Sequence, residues 1–219
     1  LYQLSNYNKV VLQRNKLLKE LYLHPDYREV LDVLDMQLVQ YGSALIQRRQ
    51  TFAEELGEIV HRIHSQLSGG QEEMELKYEP NVTVDAFAQM LFANRERDMR
   101  LKTTATGPHR DDISFVVNGV DIRKFGSQGQ QRTAALSLKL AEIELVRRLT
   151  KDTPILLLDD VLSELDKSRQ QLLLHSIGDI QTIITCTGVE EFVRNRFQVN
   201  RVFKVTEGTV EELKELPGT

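Results

Sequence analysis

Apolar residues along residues 1–23 recur at steps of three, four and seven, which is the spacing of one buried helix face. These residues are Leu4, Tyr7, Val11, Leu18 and Leu21. His24-Pro25-Asp26 follows, and proline cannot continue the hydrogen-bond ladder of a helix. The pattern therefore predicts a first helix that stops before Pro25.

A second apolar stripe is longer and predicts a helix of roughly 40 residues. Its positions are Leu34, Leu38, Tyr41, Leu45, Phe52, Leu56, Ile59, Ile63 and Leu67. Gly42 interrupts the stripe and indicates a bend, and Ser68-Gly69-Gly70 provides residues that favour a helix C-terminus. Two long helices joined by a short proline turn form an antiparallel arm, which we place at residues 1–72.

The pattern after residue 72 alternates between short strands and helices. Strands are predicted at residues 74–79, 112–117, 120–123, 155–158 and 181–186, and helices at residues 84–100, 133–149 and 167–177. Thr83 is a suitable N-cap, and Asn118-Gly119 is a strong hairpin turn. The aliphatic run after Pro154 is typical of a buried strand in a parallel sheet. These elements predict an α/β lobe over residues 73–219.

The composition fits a folded protein that does not cross a membrane. Hydrophobic residues make up 41% of the 219 residues and charged ones 27%, unlike a disordered chain. No apolar run reaches the roughly 18 residues of a membrane-spanning helix. The single cysteine, Cys186, excludes an internal disulfide and predicts a reducing, cytoplasmic location. Because the chain opens at Leu1 rather than methionine, we expect a fragment of a longer protein.

Positive charge is concentrated in residues 95–132, although the net charge of the chain is -4. The basic residues there are Arg95, Arg97, Arg100, Lys102, Arg110, Arg123, Lys124 and Arg132, and acidic residues are interleaved with them. A solvated face of mixed charge and a nucleic-acid footprint both fit this pattern.

Two histidines, His61 and His64, lie one turn apart on the second predicted helix, with Glu58 nearby. Such a pair can bind a metal ion. The sequence offers no further ligand, so two surface histidines are the simpler interpretation.

Two adjacent carboxylates, Asp159 and Asp160, follow the predicted strand at residues 155–158. Ligands of open α/β sheets gather beyond the carboxyl ends of such strands, where an unpaired buried charge is costly. The pair therefore indicates a counter-charge, most often Mg2+ held against a phosphate. The alternative is a strand that runs into a solvated acidic turn.

A glycine-containing loop, Phe125-Gly126-Ser127-Gln128-Gly129-Gln130-Gln131-Arg132, precedes the predicted helix at residues 133–149. Free backbone N–H groups and the positive end of the helix dipole make such a loop an anion site. Its glycines also let a phosphate approach the backbone. Many loops of this kind only cap a helix, so the loop alone is weak evidence.

The order of this loop, a helix and the carboxylate-ended strand resembles that of ATP-binding-cassette (ABC) ATPases, which use a signature loop, a helix, a Walker B strand and a D-loop. Three motifs narrow the resemblance to the bacterial RecF family, relatives of the SMC-type ATPases. They are Thr-Gly-Pro-His-Arg-Asp-Asp at residues 106–112, the loop at 126–132 and the stretch at 157–166. The resemblance implies the C-terminal lobe of an ABC-type P-loop NTPase with a mainly parallel sheet, and an antiparallel helical arm.

The resemblance also implies roles for single residues. Asp159 would orient Mg2+, and Asp160 stands where many relatives carry the glutamate that polarises the attacking water. The signature would be Ser127, Gln128, Gly129 and Gln130, which meet the γ-phosphate of ATP bound to the opposite subunit of a dimer. Ser163, Glu164, Leu165 and Asp166 would form the D-loop at the dimer seam. Thr187 would be the switch residue.

For the intact protein, the resemblance implies ATP-gated homodimerisation on DNA, at gaps or junctions of duplex and single strand. The implied processes are DNA replication and recombinational gap repair, with RecR- and RecO-type partners. DNA contact would use part of the basic group, through phosphate neutralisation. The candidates are Arg95, Arg97, Arg100, Lys102, Arg123 and Lys124.

One element of the family does not occur in this sequence. A P-loop requires Gly-Lys followed by Ser or Thr, and the chain contains no Gly-Lys pair. In the RecF family that loop precedes the arm, so we expect the 219-residue chain to bind ATP weakly or not at all and to be inactive as an ATPase alone. The alternatives are another SMC-like ABC ATPase and a non-hydrolysing interaction module of the same fold.

Overall fold

A computed structural model describes residues 2–21, 28–178, 180–186 and 200–213. Contacts divide the chain into two compact units, residues 1–145 and 146–219. The first unit contains α1 (Tyr2–Glu20), α2 (Arg28–Leu67), β1 (Met74–Glu79), α3 (Val84–Ala93), α4 (Arg95–Leu101), β2 (Asp112–Val117), β3 (Val120–Asp121), α5 (Ile122–Phe125) and most of α6 (Gln128–Thr150). The second contains β4 (Leu156–Asp159), α7 (Lys167–Ile177), β5 (Thr182–Thr185), β6 (Val202–Thr206) and β7 (Thr209–Leu213).

The two long helices form where the apolar stripes predict them, and they share one core with α3. The buried residues of that core include Tyr7, Val10, Leu17, Leu18, Leu31, Leu34, Leu38, Ile46, Phe87 and Leu91. After α2, Gly69 and Gly70 take φ angles of 65° and 77°. The Gly70 N–H donates to the carbonyl of Ser65 at 2.7 Å, which is the hydrogen bond of a glycine-terminated helix.

Gly42 lies inside a continuous α2 and is buried. A Cβ at this position would lie 2.5 Å from Cε1 of Phe87 and 3.0 Å from Cε2 of Tyr7. The glycine therefore serves the close packing of two aromatic rings against the helix.

The strands form three small sheets in the described residues. β1, β2 and β3 are antiparallel, with Met74 opposite Val117, and the C-terminal half of α2 packs on β1. β4 and β5 are parallel, with Leu156 opposite Thr182, as the apolar runs predict. The prediction that these strands are buried is wrong in the described structure, because Leu157 and Ile183 are exposed. β6 and β7 form an antiparallel hairpin.

Three predicted elements differ from the structure by more than one residue at a boundary, and the sequence did not predict the hairpin of β6 and β7. The helix predicted at residues 84–100 is split by Asn94, whose Nδ2 donates to Oγ1 of Thr106 at 2.9 Å. β3 ends after two residues because Asp121 accepts from the N–H of Arg123 and caps α5. α6 begins at Gln128 rather than at Thr133, so the glycine-containing loop is partly helical.

The arm is held together by a buried arginine. Arg14 on α1 is fully buried. Its Nε donates to Asp35 on α2 at 2.6 Å, and its NH1 donates to Asp98 on α4 at 2.6 Å and to Oγ1 of Thr104 at 3.0 Å. Asp35 also pairs with Arg95. One guanidinium thus joins three helices and the loop that follows α4.

We predict that Arg14→Met lowers the free energy of unfolding by about 3–5 kcal/mol, because Asp98 would remain buried without its cation. Denaturant unfolding measures this change. Arg48→Met, at an exposed arginine of α2, is the control and should stay within about 0.5 kcal/mol. Equal losses in the two variants would contradict the role given to the buried charge.

We predict opposite effects for alanine at two glycines of α2. Gly42→Ala should destabilise by about 1–3 kcal/mol, because overpacking against Phe87 and Tyr7 outweighs the better helix propensity. At Gly57 the nearest atom to a new Cβ is the Leu76 carbonyl oxygen at 3.7 Å, so Gly57→Ala should stabilise by up to about 1 kcal/mol. Thermal unfolding of both variants tests the pair, and a stabilised Gly42→Ala would refute the packing argument.

Candidate functional site

The predicted signature loop forms a reciprocal cap on α6. The Gln130 N–H donates to Oγ of Ser127 at 3.2 Å, and the Ser127 N–H donates to Oε1 of Gln130 at 3.1 Å. This pair is a capping box. The N–H groups of Gln128 and Gly129, in the first turn, have no carbonyl partner within the helix, so the loop keeps donors for an anion.

The two glycines of the loop serve different purposes. A Cβ at Gly126 would lie 2.6 Å from the carbonyl oxygen of Ile122, so packing within the chain requires this glycine. A Cβ at Gly129 would meet only Oγ of Ser127, at 3.9 Å. Internal packing therefore does not require Gly129, and its bare backbone leaves room for a group that approaches from outside.

In the second unit, both predicted strand-end aspartates contact the same threonine, Asp159 through its carboxylate and Asp160 through its backbone N–H. Oγ1 of Thr185, at the end of β5, donates to Oδ1 of Asp159. The Asp160 N–H is 3.2 Å from the carbonyl oxygen of Thr185 and 3.1 Å from its Oγ1. Both aspartates are exposed, which matches strand-end groups available to a ligand.

Asp160 has an unusual backbone conformation. Its φ of 52° lies in the left-handed region, which costs a residue with a side chain roughly 1–2 kcal/mol. The residue sits between β4 and a 3-10 turn at Val161–Glu164. Such strain is concentrated at functional sites, and here it turns the chain sharply just after the strand.

The predicted D-loop leads into α7, and Asp166 caps that helix. Oδ1 of Asp166 accepts from the Arg169 N–H at 3.1 Å, and Oδ2 pairs with the Arg169 guanidinium at 2.7 Å. The backbone hydrogen bond and this pairing lower the pKa of Asp166. Leu165 is buried, and the side chains of Ser163 and Glu164 lie outside the described part of the structure, as does the whole of Thr187.

The motif at residues 106–112 is fixed to the arm. Asp111 accepts from Arg49 of α2 at 2.8 Å, from the hydroxyl of Tyr78 and from the Asn81 N–H at 2.9 Å. Arg49 also donates to the carbonyl of Pro108. The burial of Tyr78 and its hydrogen bond to Asp111 raise the pKa of the phenol.

His109 bridges the same motif to α1. Its Nε2–H donates to the carbonyl of Thr104 at 2.9 Å, so its Nδ1 accepts from the hydroxyl of Tyr7 at 2.7 Å. Burial lowers the pKa of His109 and raises that of Tyr7, which keeps both groups neutral. Gly107, at φ 135°, leaves room for the Tyr7 hydroxyl, which would lie 2.3 Å from a Cβ there. The motif therefore has a structural role in this chain.

The six basic residues predicted to contact DNA divide into two sets. Arg95 pairs with Asp32 and Asp35 and lies over the ring of Phe92. Arg123 pairs with Asp112, and Lys124 with Asp121. Arg97, Arg100 and Lys102 are exposed and make no ion pair with any described residue. Of the six, these three, on α4 and its C-cap, are the ones whose charge no described residue pairs.

The two histidines of α2 have separate partners. His61 Nδ1 lies 3.2 Å from the carbonyl oxygen of Met74, whereas His64 is buried between Ser137 and Glu72. The prediction that His64 lies on the surface is wrong. In the part of the chain that the structure describes, no cluster of three or more His, Cys, Asp or Glu side chains suits a metal ion. In the same residues, no helix is long and apolar enough to cross a membrane.

The sequence predicted Asp159 and Asp160 as strand-end carboxylates, but it did not predict two residues that contact the candidate sites. Thr185 could have been found, because the carboxyl ends of neighbouring parallel strands share one sheet edge. Glu72, which contacts Gln130 at 3.1 Å, has no comparable signal, since it lies in a polar segment between a helix and a strand.

No family model matches this sequence, but curated relatives do. The chain is 57% identical over 212 residues to the DNA replication and repair protein RecF of Agathobacter rectalis, and 57% identical over 212 residues to that of Lachnoclostridium phytofermentans. It is 40% identical over 215 residues to that of Clostridium perfringens. These alignments cover 97%, 97% and 96% of the chain, which spans 59% of the length of each relative.

Solved structures show the same similarity. Two structures of the recombination mediator protein RecF, described as RecF-ATP and RecF-ATPrS in the RecFOR pathway, match with TM-scores of 0.84 and 0.82. Each is 32% identical, and each match covers 97% of this chain and 58% of the other. The predicted ABC-type α/β fold with a helical arm is thereby confirmed. High identity along nearly the whole chain and the shared fold show that it belongs to the RecF family.

Proposed function

We propose that this chain is part of an ATP-dependent DNA-binding protein that acts in DNA replication and recombinational gap repair. The observation that carries the proposal is the strand-end site, in which Thr185 holds Asp159 and Asp160 at the carboxyl edge of a parallel strand pair. The RecF names of the relatives and the ATP complexes of the structural neighbours support the same function.

The strand-end residues fit a phosphate-bound Mg2+. Asp159 offers an exposed carboxylate whose orientation is set by Thr185, and oxygen ligands suit this ion. Mg2+, when bound, would neutralise charge on the phosphates. Asp160 is the proposed general base, and its left-handed backbone turns it away from the strand direction.

The signature residues Ser127, Gln128, Gly129 and Gln130 are proposed to meet ATP held by a second subunit. The exposed side chains of Ser127 and Gln128 and the open space at Gly129 support this role. Leu165 and Asp166, with Ser163, Glu164 and Thr187, remain the proposed D-loop and switch residues. ATP would thus gate homodimerisation on DNA, at gaps or strand junctions, with RecR- and RecO-type partners.

We also propose that residues 1–72 act as a lever-like arm and residues 73–219 as the ATPase lobe. The glycine stop after α2 and the start of β1 at Met74 support a boundary there. A non-hydrolysing module of the same fold is the second candidate, favoured by the aspartate at position 160, where the resemblance to ABC ATPases implies a longer glutamate.

In the intact protein, we predict that Asp160→Asn lowers the rate of ATP hydrolysis about 100-fold, because it removes the proposed base. ATP-dependent dimerisation should persist, and phosphate release with light scattering measures the two properties. Asp152→Asn, at an exposed aspartate of the same unit, is the control and should hydrolyse ATP normally. Unchanged hydrolysis in Asp160→Asn, with dimerisation intact, would refute the catalytic assignment and favour the non-hydrolysing module.

We predict that the double variant Arg97→Ala/Arg100→Ala weakens DNA binding of the intact protein and lowers its salt dependence. The slope of log K against log salt should fall by about 1 for each phosphate that the protein no longer neutralises. The matched control is Arg123→Ala/Lys124→Ala, whose cations are already paired with aspartates, and it should retain most of the slope. Fluorescence anisotropy at several salt concentrations measures the affinity and the slope. A larger decrease of the slope in the control variant would assign the DNA contact to Arg123 and Lys124 instead.

A further inference from the structure

A buried histidine of the arm is joined to the signature loop by a continuous path of hydrogen bonds. His64, near the C-terminus of α2, is 0% exposed. Its Nε2–H donates to Oε2 of Glu72 at 3.2 Å, and its Nδ1 lies 3.0 Å from Oγ of Ser137 on α6. The other carboxylate oxygen of Glu72, Oε1, accepts from Nε2 of Gln130 at 3.1 Å.

Gln130 connects Glu72 to Ser127, because its amide nitrogen and its amide oxygen both make hydrogen bonds. Its Nε2 faces the carboxylate of Glu72, while its Oε1 accepts from the Ser127 N–H. A flipped amide would set an oxygen against the carboxylate and a donor against the N–H, which would break both bonds. Glu72 therefore selects the one amide orientation that closes the capping box.

The backbone of Glu72 is held by Ser68, the residue that follows α2, and its carboxylate by His64. Its N–H donates to Oγ of Ser68 at 3.2 Å, and the Ser68 hydroxyl lies 3.3 Å from its carbonyl oxygen. Displacing the carboxylate would also take this acceptor from the fully buried His64, which is costly. The position of Glu72 thus follows the C-terminal turn of α2.

We propose that Glu72 is a positioning residue of the signature loop, which it holds through Gln130 in the conformation that receives ATP. The proposal rests on the proposed function of that loop. It makes the His64–Glu72 pair the physical link between the long helix of the arm and the proposed ATP contact. A displacement of the end of α2 would release Gln130 and then Ser127.

The experiment compares Glu72→Ala, Glu72→Gln and Glu73→Ala in the intact protein. Glu73 is the matched control, because it is the neighbouring glutamate and is exposed. In Glu72→Ala, hydrogen exchange of the loop amides at residues 126–131 should rise, and ATP-dependent dimerisation should weaken, each by roughly tenfold, as expected when a hydrogen bond to a charged group is removed. Glu72→Gln keeps an acceptor for Gln130 and should recover most of both, and Glu73→Ala should change neither.

Three outcomes would overturn the proposal or its basis. Unchanged exchange at residues 126–131 in Glu72→Ala would refute the hold on the loop, whatever the ATP data show. Faster exchange with unchanged dimerisation would show that Glu72 positions the loop. It would also show that the loop does not make the proposed ATP contact. If Glu72→Ala lowered dimerisation further in a Gln130→Ala background, Glu72 would act by another route, and the proposal would fail.

A second variant covers the case in which Glu72→Ala does not fold. Gln130→Glu leaves the His64–Glu72 pair intact and places two carboxylates against each other. Hydrogen exchange of the loop amides should be faster in this variant. Exchange as slow as in the unsubstituted protein would overturn the proposal.

Discussion

The buried guanidinium of Arg14 is the interaction on which the first unit depends. It lies between Asp35 and Asp98 and so ties α1 to α2 and to α4. Without Arg14 the buried carboxylate of Asp98 would lose its cation in a medium of low dielectric, whereas Asp35 would keep Arg95. The three charges therefore fix where α1 contacts α2 and α4.

The loop after α4 takes its conformation from the same network. Thr104 donates from its N–H and its hydroxyl to Oδ1 of Asn15, and Asp98 accepts from the Ala105 N–H. His109 then continues the chain of contacts to Tyr7. The motif at residues 106–112, one of the three that carry the family resemblance, thus connects the arm to the antiparallel sheet.

Local patterns predicted the elements of this protein better than its contacts. The apolar stripe of α2 followed from the spacing of its residues alone. The break at Asn94 did not, because its side chain bonds to Thr106, outside the helix. Asp166, which the family resemblance places in the D-loop, also caps α7 with its side chain. The partners of the motif at 106–112 were also unpredictable, since Tyr7 lies 102 residues away from His109.

Capping and phosphate binding are compatible at Ser127, although they were alternative interpretations of its sequence. The cap uses a lone pair of Oγ, which accepts from the Gln130 N–H, and the hydroxyl proton is still able to donate to an anion. The N–H groups at the first two positions of α6 are also available to an anion, because they have no carbonyl partner within the helix. A cap built from Ser and Gln thus orders the loop without consuming the donors that a phosphate would need, and the contact of Gln130 with Glu72 adds a means of control from the arm.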